Sequence, residues 1–286
     1  MNDITYRRTP EQLKAQAEAL HAAILHQVRE LVDSGQWRSF LDFARSFHSY
    51  SLNNLLLILA QHPDATMVAG FRQWQTKGRQ VRKGEHSIKI FGYSSTKPKS
   101  RDEESDADPE ERTVHYFPVL SVFDISQTDQ IDGTPVPENP IQTLIGNHDH
   151  GVMRPLTAHL LAIGWRLKYK SLTRANGYTD PERHTVTLCS DLAPEQAAKT
   201  LIHETAHIEL RHVDNLDEYR LHRGRMEVEA ESVAYIVAGL AGFDTSTYSI
   251  GYIAEWADPD TTVLRDTASR VLKTAQRITE ILEQRD

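Results

Sequence analysis

The chain has 286 residues and a formal net charge of −8, from 32 basic and 40 acidic side chains, which excludes a uniformly basic nucleic-acid-binding protein. A single cysteine, Cys189, excludes a disulfide framework and a cysteine-rich zinc module. The longest purely apolar run, residues 55–60, is far shorter than the roughly 18 residues that cross a membrane. The first residues lack the apolar core of a signal peptide, so the sequence predicts a cytoplasmic protein with no membrane partner.

Helical periodicity dominates the beginning of the chain. Apolar residues three and four positions apart predict helices over 10–32 and 37–47. A third helix begins near Ser51 and ends before His62-Pro63. Segments punctuated by glycine then predict short strands or turns over 68–74, 80–83 and 87–93.

An acidic segment separates two predicted strands. Residues 94–113 contain no apolar side chain that could anchor a packed element, so they predict a flexible insert. The sequence HYFPVLSVF predicts a strand over 115–123. We expect the strands at 87–93 and 115–123 to pair, with the acidic segment as the loop between them.

A proline-rich polar stretch at 129–140 predicts a linker between two domains. The second half then predicts a helix over 141–163, strands over 165–169 and 185–189, and helices over 194–211, 225–241 and 261–284. The fold class is therefore predicted as α+β with two domains. A small α/β domain spans 1–128, and a mainly helical domain with a short sheet spans 141–286.

The sharpest chemical motif is H-E-x-x-H at His203, Glu204 and His207, inside the helix predicted at 194–211. A spacing of four places both imidazoles on one helical face, where both can bind one ion. Glu204 lies beside the open coordination position and is the candidate catalytic base, which passes a proton from the attacking water to the leaving amine. The motif predicts a Zn²⁺ site, with another divalent ion such as Mn²⁺ as the alternative.

A second acidic helix supplies the third ligand in this prediction. Glu227 and Glu231 are four residues apart and share a face, whereas Glu229 lies about 200° from Glu227. We predict Glu227 as the ligand and Glu231 as the carboxylate that holds a ligating histidine, with the reverse assignment left open. Glu229 is equally compatible with a solvated charge. His212 is one residue early for the pattern H-E-x-x-H-x-x-G-x-x-H and is predicted to lie on the surface.

The strand predicted at 185–189 comes shortly before the motif helix. As an edge strand it would pair with an extended peptide and present its bond to the metal, and as a core strand it would not; both remain open. Cys189, at its end, is predicted to be a small buried apolar side chain rather than a nucleophile.

Positive charge is concentrated in residues 70–92. This segment has six basic residues and one acidic residue, a net charge of +5, so the rest of the chain carries −13. Cations that follow phosphates, with rings that stack on bases, predict a site for single-stranded rather than duplex nucleic acid. The alternative is a solvated basic face over a buried Trp74. The candidate contact residues are Arg72, Trp74, Lys77, Arg79, Arg82 and Lys83.

Several of these motifs resemble one family. SFHSYSLNN at 46–54, AGFRQW at 69–74 and GRQVRKG at 78–84 resemble the N-terminal domain of ArdC-type antirestriction proteins. LIHETAH at 201–207 and the helix at 227–231 are similar to metallopeptidase domains of the ArdC and ImmA/IrrE families. The resemblance implies binding of single-stranded DNA in plasmid conjugation. It adds Tyr50, Asn53 and Asn54 to the candidate DNA site, although this stretch equally suits the capping and packing of a helix.

Together these features predict an antirestriction-type protein that binds single-stranded DNA and protects incoming mobile DNA. Its second domain is predicted to be a zincin-like, zinc-dependent metallopeptidase that acts on a protein or peptide. One alternative is a regulatory protease that cleaves a repressor, as ImmA-like proteins do. Another is a single-stranded-DNA-binding protein whose metal is structural.

Overall fold

The computed structural model describes residues 9–31, 34–96, 114–132, 149–173, 175–245 and 260–284. Contacts between Cα atoms divide the chain into two units. The first contains the described residues up to Leu25 and those between Asn53 and Glu138, and the second contains the remainder. Most of the predicted insert at 94–113 and of the predicted linker at 129–140, and the start of the helix predicted at 141–163, lie outside the described residues.

Helices and short strands are mixed along the chain, in agreement with the predicted α+β class. The helices are α1 (Pro10–Glu30), α2 (Ser34–Ser46), α3 (Leu52–Gln61), α4 (Phe71–Thr76), α5 (Met153–Ala162), α6 (Pro194–Glu209), α7 (Leu216–Leu221), α8 (Arg223–Leu240) and α9 (Thr261–Glu283). The strands are β1 (Val68–Gly70), β2 (Arg79–Val81), β3 (Ile88–Phe91), β4 (Ser94–Thr96), β5 (Val114–Tyr116), β6 (Val119–Asp124), β7 (Thr128–Gln130), β8 (Arg166–Lys170), β9 (Gly177–Asp180) and β10 (Thr185–Cys189).

The first unit is built on antiparallel strand pairs. Strand β6 is the middle strand of a sheet with the order β1-β6-β3, and Ile88 of β3 pairs with Val122 of β6. The predicted pairing of 87–93 with 115–123 is therefore confirmed. Strands β4 and β5 pair next to this sheet in sequence, and β2 pairs with β7.

Trp74 lies at the centre of the small core of the first unit. Its side chain is fully buried against Ala69 and Val81, and its indole Nε1 donates to the Phe123 carbonyl at 2.8 Å. The strand or turn predicted at 68–74 is corrected in part, since β1 covers only its first three residues and α4 covers the rest. The helical turn directs the indole into the core.

The second unit contains a three-stranded sheet with the order β8-β10-β9. Strand β10 runs parallel to β8 and antiparallel to β9, and all five of its residues are buried. The strand predicted at 185–189 is thus a central core strand, and its possible role as a peptide-binding edge is excluded because both of its edges are already paired. Cys189 is buried, as predicted, and its Sγ donates to the Leu172 carbonyl at 3.6 Å.

Helices α6, α8 and α9 form the main layer of the second unit, at the positions predicted from their apolar periodicity. Helix α2 belongs to this unit and packs on α8, where the indole Nε1 of Trp37 donates to Ser232 Oγ at 3.0 Å. Residues 26–52 thus group with the second unit by their contacts. The predicted end of the DNA-binding domain at residue 128 stays a prediction. Every helix in the described ranges is too short or too polar to cross a membrane.

Candidate metal centre

Helix α6 holds the two motif histidines on one face. His203 and His207 are one turn apart, and their Nε2 atoms lie 3.1 Å from each other. The side chain of His207 is buried, and that of His203 is partly exposed. The helix packs against α8 and the sheet, and this packing fixes the backbone positions of both histidines.

Glu227, near the start of α8, completes the group. Its Oε2 atom lies 3.6 Å from Nε2 of His203 and 3.7 Å from Nε2 of His207. Among the described residues, these three side chains form a group whose ligand atoms all lie within 4.8 Å of one another. The structure therefore brings together the three residues predicted as metal ligands.

The donor set fits a divalent ion. Around a tetrahedral ion with nitrogen and oxygen ligands about 2.0–2.1 Å away, neighbouring ligand atoms lie about 3.4 Å apart. The three observed separations, from 3.1 to 3.7 Å, lie on both sides of this value. Two imidazole nitrogens with one carboxylate oxygen are ligands that zinc takes in proteins.

Neighbouring side chains hold two of these ligands in place. Glu231 Oε2 lies 3.0 Å from Nδ1 of His203, the ring nitrogen that faces away from the group. The Tyr219 hydroxyl donates to Oε1 of Glu227, the oxygen that the group does not use. Tyr219 belongs to α7, a helix of six residues whose short pattern gives no signal in the sequence.

The charges of the group follow from these contacts. Burial would lower the pKa of His203, but hydrogen bonds with Glu227 and Glu231 outweigh it and raise that pKa to about 10. Hydrogen bonds from His203 and His207 hold the pKa of Glu227 far below its usual range. Burial and the neighbouring Glu227 raise the pKa of Tyr219 to about 12. At neutral pH Glu227 is therefore an anion and Tyr219 keeps its proton.

Glu204 lies next to His203 on α6 and is buried. Its carboxylate is not one of the converging ligand atoms. The Thr179 hydroxyl, from the outer strand β9, donates to Glu204 Oε2 at 2.7 Å. The carboxylate thus has one oxygen fixed by the sheet, and this arrangement suits a group that moves a proton beside a metal.

His212 and Glu229 are both buried, which corrects the surface position predicted for His212 and the solvated position considered for Glu229. Each side chain has about 1% of its surface exposed. Nδ1 of His212 lies 3.0 Å from Nδ1 of His207, and its Nε2 lies 2.8 Å from Glu229 Oε2. Burial lowers the pKa of His212.

The turn after α6 explains this position of His212. Arg211 adopts a left-handed backbone with a φ of 61°. Its N–H donates to the Ile208 carbonyl at 2.9 Å, and the N–H of His212 donates to the His207 carbonyl at 2.9 Å. These two bonds form a Schellman motif, which brings the residue after the left-handed position back onto the last helical turn. This turn is not predictable from the sequence because the left-handed residue is an arginine and not a glycine.

The basic candidates of the first unit fall into two groups. Arg79 Nε donates to Thr128 Oγ1 at 2.6 Å, and Arg82 Nη1 lies 3.3 Å from Asp129 Oδ1. These two cations therefore already support the pairing of β2 with β7. The second group contains Arg72, Lys77 and Lys83, whose side chains are exposed.

Trp74 has no exposed ring face, with 0% of its surface accessible. Trp74 is therefore buried, as in the alternative of a solvated basic face over a buried tryptophan. A fully buried ring cannot stack on a base. Aromatic rings that are exposed in the same unit include Phe71, Tyr93 and Phe117, with 44%, 68% and 63% of their surfaces accessible. Tyr93 and Phe117 were not predicted as candidates because both lie outside the basic segment at 70–92.

The candidates suggested by the family resemblance have structural contacts. Tyr50 is half-buried, its ring lies 5.8 Å from that of Phe47, and burial raises its pKa. Asn54 Nδ2 donates to the Phe91 carbonyl at 2.8 Å, and its Oδ1 accepts from the Phe91 N–H at 2.9 Å. The amide of Asn54 therefore ties α3 to β3. Asn53 is half-buried.

These features define an α+β protein with a candidate HExxH metal centre in its second unit. Residues 6–123 match the family model of the N-terminal domain of anti-restriction factor ArdC. The first part of the chain is thus similar to the N-terminal domain of ArdC-type antirestriction proteins.

The individual proteins that the chain resembles share a quarter or less of its residues. Over an alignment of 325 residues the chain is 25% identical to the uncharacterized protein pXO2-81 of Bacillus anthracis, and the alignment covers 98% of this chain and 54% of that protein. The chain thus spans about half the length of this curated relative. Two crystal structures of the antirestriction protein ArdC from plasmid R388, one metal-free and one with Mn(II) bound, give TM-scores of 0.47 and 0.45 at 19% and 18% identity. Each comparison covers 82% of this chain, and 85% and 89% of the respective R388 chains.

Proposed function

We propose that this chain is an ArdC-type protein that protects incoming mobile DNA. Its first unit binds single-stranded DNA. Its second unit is zincin-like and carries a zinc-dependent metallopeptidase site. The observation that supports the enzymatic part is the convergence of His203, His207 and Glu227, with buried Glu204 next to them on α6. A purely structural zinc site has four protein ligands and needs no additional carboxylate beside it.

The residues of the site have separate roles in this proposal. When bound, the ion would supply Lewis acidity, which activates a water and polarises the scissile carbonyl. Glu204 accepts the proton of the attacking water on Oε1 and delivers it to the leaving nitrogen, since Thr179 already occupies Oε2. Glu231 holds His203 with its Nε2 toward the ligand group. His203 and Glu227 are partly exposed, which leaves a path for a peptide.

Metal content and peptide cleavage test this proposal. We expect about one zinc ion per purified chain, loss of the metal in His203→Ala and Glu227→Gln, and retention in Glu231→Gln at reduced affinity. Glu204→Gln should keep the metal, because Glu204 is not a ligand, and should lose cleavage of an internally quenched peptide library. Elemental analysis and fluorescence measure the two properties.

Glu195→Gln is the matched control, because Glu195 lies on the same helix and its side chain is exposed. It should keep both metal and cleavage. Full metal content in a His203→Ala, His207→Ala double variant would show that the ligands are wrongly assigned. A metal-loaded wild type that cleaves nothing in the library would favour the structural-metal alternative.

The proposed DNA site rests on the exposed cations of the first unit. Arg72 and Lys77 lie on α4 and just after it, and Lys83 follows β2. An overall charge of −8 repels DNA, so binding requires a local positive surface of this kind. We expect single strands to bind more tightly than duplex, and the exposed rings on which bases can stack include Phe71, Tyr93 and Phe117.

Salt dependence tests the DNA site. If about four phosphates are neutralised, the logarithm of the binding constant should fall with the logarithm of salt concentration with a slope near −3. A double variant Arg72→Ala, Lys83→Ala should weaken binding of every sequence and reduce the slope by about 1 to 2. Lys273→Ala, which removes an exposed cation from α9, is the control. Equal affinity of the double variant and the control would leave the solvated basic face as the explanation.

A further inference from the structure

A buried chain of polar side chains lies behind the candidate ligand His207. Its Nδ1 is 3.0 Å from Nδ1 of His212, and Nε2 of His212 is 2.8 Å from Glu229 Oε2. The Thr267 hydroxyl donates to Glu229 Oε1 at 3.1 Å, and Arg270 Nη2 lies 3.3 Å from Glu229 Oε2. At most 5% of the surface of His207, His212 or Glu229 is exposed. Groups from α6, α8 and α9 therefore meet behind one ligand.

The chemistry of these groups sets the direction of each hydrogen bond. The Glu229 carboxylate can only accept, so His212 carries its proton on Nε2. An imidazole with its single proton on Nε2 has a lone pair on Nδ1, so Nδ1 of His212 accepts. His207 must then donate from Nδ1. The lone pair of His207 consequently lies on Nε2, the atom that faces His203 and Glu227.

We propose that His212 and Glu229 are positioning residues that fix the tautomer and the ring orientation of His207. The inference rests on the proposed metal site and deepens it. In most metal sites a carboxylate, a carbonyl or a water holds the second nitrogen of a ligating histidine, and the pair of His203 with Glu231 follows this rule. His207 instead meets a second imidazole, which a buried carboxylate holds in turn.

The turn at Arg211 makes this arrangement part of the fold. A Schellman motif usually carries a side-chain contact between the residue after the left-handed position and the residue five positions before it. In this chain those residues are His212 and His207, and the contact is a hydrogen bond instead of an apolar one. The same helix end that terminates α6 therefore orients one of its ligands.

The second unit also contains a matched control pair. His159 Nε2 lies 2.6 Å from Glu209 Oε1, and Arg277 Nε lies 3.0 Å from the other oxygen of Glu209. The pair has the same chemistry, a histidine held by a buried carboxylate with an arginine beside it. None of the contacts described for His159 or Glu209 involves a proposed ligand.

Cobalt binding to the full-length chain tests the proposal, with affinity measured by chelator competition and coordination followed by visible absorption. His212→Phe keeps a ring of similar size but leaves Nδ1 of His207 without its acceptor. We expect about 10- to 100-fold weaker Co²⁺ binding and a changed absorption spectrum. His212→Asn, whose side-chain oxygen can accept near the position of Nδ1, should recover part of the affinity. His159→Phe should change neither property.

Two results would overturn the proposal. Unchanged Co²⁺ affinity and spectrum in folded His212→Phe would do so and leave the metal site itself intact, whereas a wild type that binds no stoichiometric Co²⁺ would overturn the site as well. Glu229→Gln, which has nearly the same shape, gives a second test that does not depend on the folding of His212→Phe. We expect about tenfold weaker binding from it, and unchanged binding would contradict the role of Glu229.

Discussion

Asp124 joins the end of β6 to the segment that enters β1. Its Oδ2 accepts from the N–H groups of Thr66 and Met67, at 2.9 and 3.0 Å, and its Oδ1 accepts from the N–H of Ser126 at 2.9 Å. The side chain is fully buried. Burial alone would raise the pKa of Asp124, but these hydrogen bonds outweigh it and hold the pKa below its ordinary value of 3.8. The fold of the first unit therefore depends on an ionised carboxylate.

Asp124→Asn should destabilise the first unit, because an amide has only one oxygen for three donors. We expect a loss of about 2 kcal/mol, which corresponds to about 30-fold faster hydrogen exchange in β1 and β6. A carboxylate whose pKa is lower in the folded state than in the unfolded state stabilises the fold at pH values above the unfolded-state pKa. This stabilisation is lost as the pH falls through the folded-state pKa. Wild type and variant should therefore converge below pH 3.8.

Pulsed hydrogen exchange at one labelling pH, after equilibration at each test pH, measures this convergence. Asp64→Asn serves as the control, since Asp64 is exposed in the same unit, and should behave like wild type. A difference between wild type and Asp124→Asn that stays constant into strong acid would show that the carboxylate charge has no part in it.

At the scale of elements, the end of α6 depends on a residue that adopts a left-handed backbone at some cost. Arg211 is exposed and has a φ of 61°. Glycine is the usual residue at this position, and a β-branched side chain tolerates it worst. Arg211→Val should therefore be less stable than Arg211→Gly by about 1–2 kcal/mol. Denaturant unfolding of the full-length chain measures the difference.

The two variants should also differ at the metal centre. Arg211→Gly keeps the backbone that carries His212, so its metal affinity should match wild type. Arg211→Val should weaken metal binding because the turn must change to relieve the valine. Equal stability of the two variants would show that the turn adopts another conformation in solution.

The elements were largely predictable, and their order in the sheet was not. Apolar periodicity placed α6, α8 and α9 to within two residues, because each buries a continuous face. It located β10 but not its central place, since that depends on β9, where Gly177–Asp180 has no apolar alternation. The ligand group followed from the spacing of His203 and His207. The buried pairing of His212 did not, because it requires a left-handed backbone at an arginine.

At the scale of the whole molecule, the two proposed activities lie in different units. The candidate ligands belong to the second unit, and the exposed cations at residues 72, 77 and 83 belong to the first. We therefore expect Glu204→Gln to bind single-stranded DNA as wild type does. A basic surface can coat an incoming strand before restriction acts, whereas a protease must first find each host enzyme.

A plasmid-transfer assay separates these two routes to protection. We predict that Glu204→Gln still protects the incoming plasmid and that the Arg72→Ala, Lys83→Ala variant does not. Loss of protection in Glu204→Gln, with DNA binding and metal content preserved, would show that proteolysis is required.

The packing of α2 on α8 has a consequence for synthesis of the chain. The hydrogen bond between Trp37 and Ser232 joins residues 195 positions apart. At about 5–20 residues per second, α8 leaves the ribosome roughly 10–40 s after α2. Throughout that interval the face of α2 that carries Trp37 lacks the surface of α8 that finally buries it. A ribosome that stalls between the two helices would therefore leave an apolar helix face exposed on the nascent chain, and chaperones bind such faces.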